Sequence, residues 1–189
     1  MNALAPTLST RHFPAIQPAL RDVLLVVFGS LLVAGFAQIA IPLPFTPVPI
    51  TGQTFAVLLV GAALGSKRGA ASLGLYTLEG ALGLPFFAAG SSGLSGPTLG
   101  YLIGFVAAAY LIGLLAERGL DRSFRTSLLP FLFGTALIYL FGATWLAIAA
   151  HMTPQAAFNA GVLPFLIGDA IKLLLAAVAL PAAWKLVKE

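Results

Sequence analysis

The sequence predicts an all-α integral membrane protein, a bundle of six transmembrane helices with both termini in the cytoplasm. Three observations predict this class. First, 59% of the 189 residues are hydrophobic and only 8% are charged, whereas about 25% of a soluble domain is charged. Second, uncharged stretches such as residues 128–150 reach the roughly 20 residues that a helix needs to cross a bilayer. Third, the basic residues, apart from one, occur only in alternate connections between these stretches.

Six apolar segments are recognisable, and we expect each to form one membrane-spanning helix. They cover residues 22–41, 51–65, 69–84, 97–117, 127–150 and 162–185. Residues 1–20 are predicted to be a cytoplasmic N-terminal tail, and residues 21–189 to be one six-helix substrate-binding domain. The tail has no cationic start that runs into a short apolar core and a cleavage site, so no cleaved signal peptide is expected.

The connections between the segments are marked by residues that interrupt helices. Four prolines at positions 42, 44, 47 and 49 exclude a continuing helix after the first span and favour an extended connection. The sequence Ser-Lys-Arg-Gly at residues 66–69 separates the second and third spans, and the glycine-rich residues 88–96 separate the third and fourth.

The distribution of basic residues predicts the orientation. Nine of the ten lysines and arginines precede the first span, follow the sixth, or lie in the second and fourth connections, and the tenth is Lys172. Short loops rich in lysine and arginine stay in the cytoplasm, so both termini are predicted to be cytoplasmic in a multi-pass protein of the cell membrane. The high isoelectric point therefore reflects membrane topology and does not indicate a nucleic-acid partner. Membrane lipid is expected around the bundle.

A charged pair, Asp169 and Lys172, lies inside the last apolar segment. A charge at the centre of a span costs roughly 2.5–3.5 kcal/mol, and residues three apart share one helix face. Two interpretations stay open, a ligand site or a self-neutralising pair that locks helix packing. An isolated pair would leave donors and acceptors unused, which favours a ligand site. The predicted orientation places the pair in the outer half of the membrane.

Other polar residues in the spans carry weaker signals. Glu79 in the third span could protonate, reach the interface, or serve as a third charge beside Lys172. Gln53 and Thr54, at the outer start of the second span, could line a pocket or accept hydrogen bonds from the unpaired backbone N–H groups at the helix end.

Two stripes of small residues occur at a spacing of four. Gly100, Gly104 and Ala108 form the clearer one, and Ser30 and Ala34 the weaker one. Small residues allow helices in membranes to approach closely. Internal packing is the default interpretation, and docking of a membrane partner on Ser30 and Ala34 is the alternative.

Several kinds of chemistry are excluded by the composition. The chain has no cysteine and two isolated histidines, so no metal site is predicted. No phosphate-binding loop with a following lysine occurs, and no nucleophile with a matching base is apparent. No cofactor and no enzymatic activity are therefore expected.

Three motifs together resemble the BioY family, the biotin-binding S components of energy-coupling factor (ECF) importers. They are PLPFTPVPITGQTFAVLL at residues 42–59, GALGLPFFAAGSSGLSGPTLGYLIGF at residues 80–105, and PFLIGDAIKLLLA at residues 164–176. Two departures are visible, because Phe86 and Leu99 stand where this family often has valine and glycine.

The resemblance implies a six-helix bundle that captures biotin at the outer face for uptake across the cytoplasmic membrane. Transport would be driven by an energising module, a transmembrane coupling subunit with two ATP-binding subunits. The resemblance assigns Asp169 to the ureido ring of biotin and Lys172 to the polar site and the carboxylate. The remaining expected site residues are Glu79, Gln53, Phe45, Phe86, Phe87, Gly90, Gly96 and Tyr101.

Three alternatives stay open beside this function. An S component for another vitamin would change the ligand but not the architecture. A structural membrane protein would use the charged pair only to lock helices. An intramembrane enzyme has the least support. A homo-oligomer is also open.

Overall fold

A computed structural model describes residues 3–188, and a helix lies at each of the six predicted positions. These helices are α2 (Pro18–Ala37), α3 (Gln53–Leu64), α4 (Ser66–Ala81), α5 (Leu99–Glu117), α6 (Phe124–Ala149) and α8 (Leu166–Lys188). Two short helices accompany them, α1 (Leu4–His12) and α7 (Pro154–Gly161). The helix α1 falls within the predicted N-terminal tail, where it packs against α2, α3 and α8.

The all-α expectation needs one correction, because the proline-rich connection forms an antiparallel hairpin. Its strands are β1 (Ala40–Leu43) and β2 (Thr46–Thr51), and Ile41 pairs with Ile50. The prolines exclude a helix here, as expected. A two-stranded ribbon tolerates them because both strands are edge strands, on which a missing N–H group need not break a ladder.

Four helical segments among the described residues are long and apolar enough to cross a membrane. They are α2, α5, α6, and the segment Pro154–Lys185 that contains α7 and most of α8. The chain is therefore a multi-pass membrane protein. The other two main helices are shorter, with 12 residues in α3 and 16 in α4. Their crossing of the bilayer, and hence the number of six spans, stays a prediction.

The helix α5 lies at the centre of the bundle, in contact with α3, α4 and α6. The small-residue stripe on α5 makes the contact with α6 possible. A β-carbon added at Gly104 would lie 3.0 Å from the Cα atom of Ile138 on α6, and Ala108 is fully buried. The structure thus favours internal packing for this stripe.

The second small-residue stripe, on α2, also faces the interior of the bundle. Ser30 and Ala34 are both buried, and the Ser30 hydroxyl donates a hydrogen bond to the Glu79 carboxylate on α4. Docking of a partner on these two residues stays a prediction, and in this conformation their buried side chains present no surface for it. A polar group inside an apolar bundle needs an internal partner, and here Ser30 and Glu79 supply one to each other.

The connections that carry the basic residues meet at one end of the bundle. Arg68 forms an ion pair with Asp22 at 2.8 Å, Glu117 accepts a hydrogen bond from the backbone of Ser66, and Trp184 donates one to Asp121. The hairpin and the glycine-rich loop meet at the other end, where Val48 of the hairpin and Ala88 of the loop line the same cavity. The side of the membrane that each end faces stays a prediction.

Cysteine labelling would test this orientation. The chain has no native cysteine, and Ser92 and Lys67 are exposed at opposite ends. We expect a membrane-impermeant maleimide to label Ser92→Cys in intact cells and Lys67→Cys only after permeabilisation, because short basic loops stay cytoplasmic. Labelling of both variants in intact cells would overturn the predicted orientation.

Candidate functional site

A cavity of about 390 Å³ opens among the hairpin, the glycine-rich loop, and helices α3, α5, α6 and α8. Small-molecule sites in proteins have volumes of roughly 300–1,000 Å³ and mostly apolar walls with a few polar groups. The apolar part of the wall includes Val48, Phe87, Leu102, Phe105, Ile138 and Phe165. The polar part gathers at Thr51, Gln53, Thr54, Tyr139, Asp169 and Lys172.

Asp169 is the centre of the polar part. Its Oδ1 atom accepts hydrogen bonds from Lys172 Nζ at 2.7 Å and from Thr54 Oγ1 at 2.8 Å, and its Oδ2 atom accepts one from the Tyr139 hydroxyl at 2.7 Å. Only 7% of the Asp169 side chain is exposed. The carboxylate is therefore held by three donors from three helices, in a fixed orientation at the cavity wall.

Lys172 has a complete set of partners. Besides Asp169, its Nζ atom donates to the Thr51 carbonyl at 2.7 Å and to Thr54 Oγ1 at 2.9 Å. An ammonium group has three donors, so the sequence argument that the pair leaves donors unused is wrong for Lys172. It holds for Asp169, since a carboxylate has about four acceptor positions and three are engaged. One further donor can reach Oδ2.

Six of the expected site residues line the cavity. They are Asp169, Lys172, Gln53, Phe87, Gly96 and Tyr101. Two of them also support the surrounding fold. Gln53 donates a hydrogen bond to the Tyr76 hydroxyl at 2.5 Å, and the Tyr101 hydroxyl donates one to the Gly161 carbonyl at 2.7 Å.

Four expected residues do not line this cavity. Glu79 makes its hydrogen bond to Ser30 and has no contact with Lys172, so the structure does not bring a third charge to the pair. Phe45 lies in the turn of the hairpin with 67% of its surface exposed. Phe86 contributes its carbonyl to Tyr76, and Gly90 is exposed in the loop. A role of these four residues in ligand binding stays a prediction.

Sequence reasoning missed two contributors to the polar cluster. Tyr139 was detectable, because a tyrosine hydroxyl within an apolar span needs a hydrogen-bond partner. The Thr51 carbonyl was not, because no sequence pattern shows which backbone atom faces a distant lysine. Among the residues that the structure describes, no group of three or more acidic, histidine or cysteine side chains could hold a metal ion.

Substitution of Tyr139 would measure what its hydrogen bond contributes. We expect Tyr139→Phe to lower the free energy of unfolding by about 1.5–3 kcal/mol, the usual worth of a hydrogen bond to a charged group. Thermal unfolding in detergent would report the loss. Tyr110→Phe is the matched control, because Tyr110 is half exposed on α5. Equal stability of both variants would contradict the assignment.

Comparison with known proteins shows what the chain resembles. The sequence model described as the BioY family matches residues 6–189. The biotin transporter BioY of Thermotoga maritima is 44% identical over 128 residues, 66% of this chain and 73% of that protein. The biotin transporter BioY of Rhizobium etli is 36% identical over 138 residues, 68% of this chain and 74% of that protein.

A solved structure also resembles the fold. It is the crystal structure of the S-component for biotin from an ECF-type ABC transporter. Its TM-score is 0.80 at 27% sequence identity, and the match covers 90% of this chain and 95% of that chain.

Proposed function

Because the chain belongs to the BioY family, we propose that it captures biotin in the cavity beside Asp169 and serves as the substrate-binding S component of an ECF importer. The resemblance drawn from the three motifs is confirmed, and the family is one of transporters rather than enzymes. The observation that carries the proposal for this cavity is the ion pair of the buried Asp169 and the partly buried Lys172, held by Thr54 and Tyr139 in an otherwise largely apolar wall.

The chemistry of biotin matches this wall. Its ureido ring offers N–H donors, and the free acceptor position on Asp169 Oδ2 can take one of them in a charge-assisted hydrogen bond. Its fused rings and valeryl chain are apolar, and Phe87, Phe105 and Phe165 provide apolar surface in the same cavity. The ligand would therefore place its ureido end at α8.

A ureido ring at Asp169 leaves the carboxylate of biotin far from Lys172, because the ring and the carboxylate lie at opposite ends of the ligand and Lys172 Nζ is 2.7 Å from Asp169 Oδ1. All three donors of Lys172 are engaged, so in this pose the ammonium holds Asp169 in place and does not bind the carboxylate. A carboxylate at Lys172 would require the ligand to bind in the opposite orientation.

The proposal extends to partners and location. An S component would act with a transmembrane coupling subunit and two ATP-binding subunits in the cytoplasmic membrane, with both termini of this chain in the cytoplasm. A homo-oligomer is the alternative assembly. The apolar helices support a membrane location, and purification of the chain with its energising subunits would test the assembly.

Ligand-dependent melting of the purified chain in detergent would test the substrate. A ligand that binds only the folded state stabilises it by about 4 kcal/mol at 1,000 times its Kd. We expect biotin to raise the melting temperature, and thiamine and riboflavin to leave it unchanged. A shift with thiamine or riboflavin instead would assign another vitamin. No shift with any of the three would favour a purely structural role for the charged pair.

A further inference from the structure

A second groove lies far from the proposed biotin cavity, between the N-terminal segment and the exposed face of α2. It has a volume of about 430 Å³, and its walls are almost entirely apolar. The principal wall residues are Phe13, Ile16, Leu24, Leu25, Phe28 and Leu31. Phe13 and Phe28 are each at least 60% exposed, so this apolar surface is not covered by the described residues.

One cation, Arg21, lies in this groove. Its Nε atom is inaccessible and has no hydrogen-bond partner, and the guanidinium makes no ion pair with the described residues. Arg68 and Arg122 differ, since Arg68 pairs with Asp22 and Arg122 stacks over the ring of Trp184 at 4.8 Å. A ligand cannot reach an inaccessible Nε atom, so an anion at Arg21 would bind the two terminal nitrogens of the guanidinium, which also carry N–H donors and make no hydrogen bond to the described residues.

The geometry of α2 arranges the cation and the apolar wall in a line. Successive turns of the helix bring together residue 21, residues 24 and 25, residue 28 and residue 31, each three or four positions after the residue one turn before it, so their side chains form one stripe. Ten residues of helix rise about 15 Å, which is half of the roughly 30 Å hydrocarbon layer. The stripe therefore begins at a cation in the first turn of α2 and continues over the depth of one leaflet.

We infer that this groove binds an anionic phospholipid, with its phosphate at Arg21 and an acyl chain along Leu24, Phe28 and Leu31. Guanidinium groups bind phosphate through paired N–H donors, and the apolar walls suit an acyl chain. Inorganic phosphate would satisfy Arg21 but leave the walls uncovered. A helix of a protein partner would cover the walls but would need its own acidic side chain at Arg21. The predicted cytoplasmic position of Arg21 agrees with the anionic lipids of that leaflet.

The test compares lipid binding to the full-length chain in detergent. Phosphatidylglycerol and phosphatidylcholine with the same acyl chains are titrated separately, and binding is measured by native mass spectrometry and by melting temperature. We expect phosphatidylglycerol to bind and stabilise the protein, and Arg21→Gln to weaken its binding by at least about tenfold, since a hydrogen bond to a charged group is lost. Arg125→Gln, which removes an exposed charge elsewhere on the basic end, is the matched control and should bind normally.

The outcomes separate the possible occupants. Loss of binding in Arg21→Gln, with normal binding in Arg125→Gln, supports the lipid site. Equal binding of both lipids, an equal loss in both variants, or the same stabilisation by inorganic phosphate would overturn it. Normal lipid binding in Arg21→Gln combined with failure to assemble with the energising subunits would also overturn it, and would assign the groove to a protein. Melting curves of each variant without lipid establish that it is folded.

Discussion

Asp169→Asn is expected to weaken biotin binding by more than about 2 kcal/mol, or about 30-fold. The substitution replaces the acceptor Oδ2 by an amide group that donates. A ureido N–H of biotin would then face another donor, and a hydrogen bond to a charged group, worth about 1.5–3 kcal/mol, would be lost. Isothermal titration calorimetry with biotin, or a biotin melting series, would measure the change.

Two controls keep this result interpretable. Asp22→Asn removes a carboxylate from the surface ion pair with Arg68 and should leave biotin affinity unchanged. Removing one member of a buried pair lowers the free energy of unfolding by about 3–5 kcal/mol, so the single variant also loses stability. The double variant D169N/K172Q removes both charges and leaves neither unpaired, so it should fold and still fail to bind biotin. Wild-type affinity in a folded Asp169 variant would make helix locking the better role for the pair.

Gly100→Ala is expected to destabilise the fold by about 3 kcal/mol, the upper range for overpacking, or to prevent folding. The added β-carbon would lie less than 3.0 Å from the Trp145 β-carbon and from the carbonyl oxygen of Phe141 on α6. Neither atom is the flexible end of a side chain, so α5 and α6 would have to separate. Thermal unfolding in detergent and the yield of monodisperse protein would measure the loss.

Gly74→Ala is the matched control for this substitution. Gly74 lies inside α4, and an added β-carbon there has no neighbour within 4 Å. Alanine favours helix by about 1 kcal/mol over glycine, so this variant should be as stable as the wild type or more stable. Equal tolerance of both substitutions would contradict the close packing of α5 on α6.

The fold was largely predictable from local sequence patterns. Apolar runs located all six main helices, four of them in segments long enough to cross a membrane, because a segment that enters a bilayer must satisfy its own backbone hydrogen bonds. The prolines at positions 42–49 predicted an extended connection, but the pairing of β1 with β2 depends on how the two ends of that connection meet. The helix α1 was not predicted, because what stabilises it is packing against α2, α3 and α8, which buries Leu4 and Pro6.

The sequence by itself determined the membrane class, the family and the central pair of Asp169 and Lys172, because charge inside an apolar span is costly and a three-residue spacing fixes a shared face. Only the tertiary structure decided which distant groups complete the site. Thr51 and Thr54 come from the region where β2 meets α3, and Tyr139 from α6. The tertiary structure also decided that Ser30 and Ala34 face the interior of the bundle and that Glu79 lies away from Lys172. The reason is that packing against neighbouring helices sets the rotation of each helix about its axis.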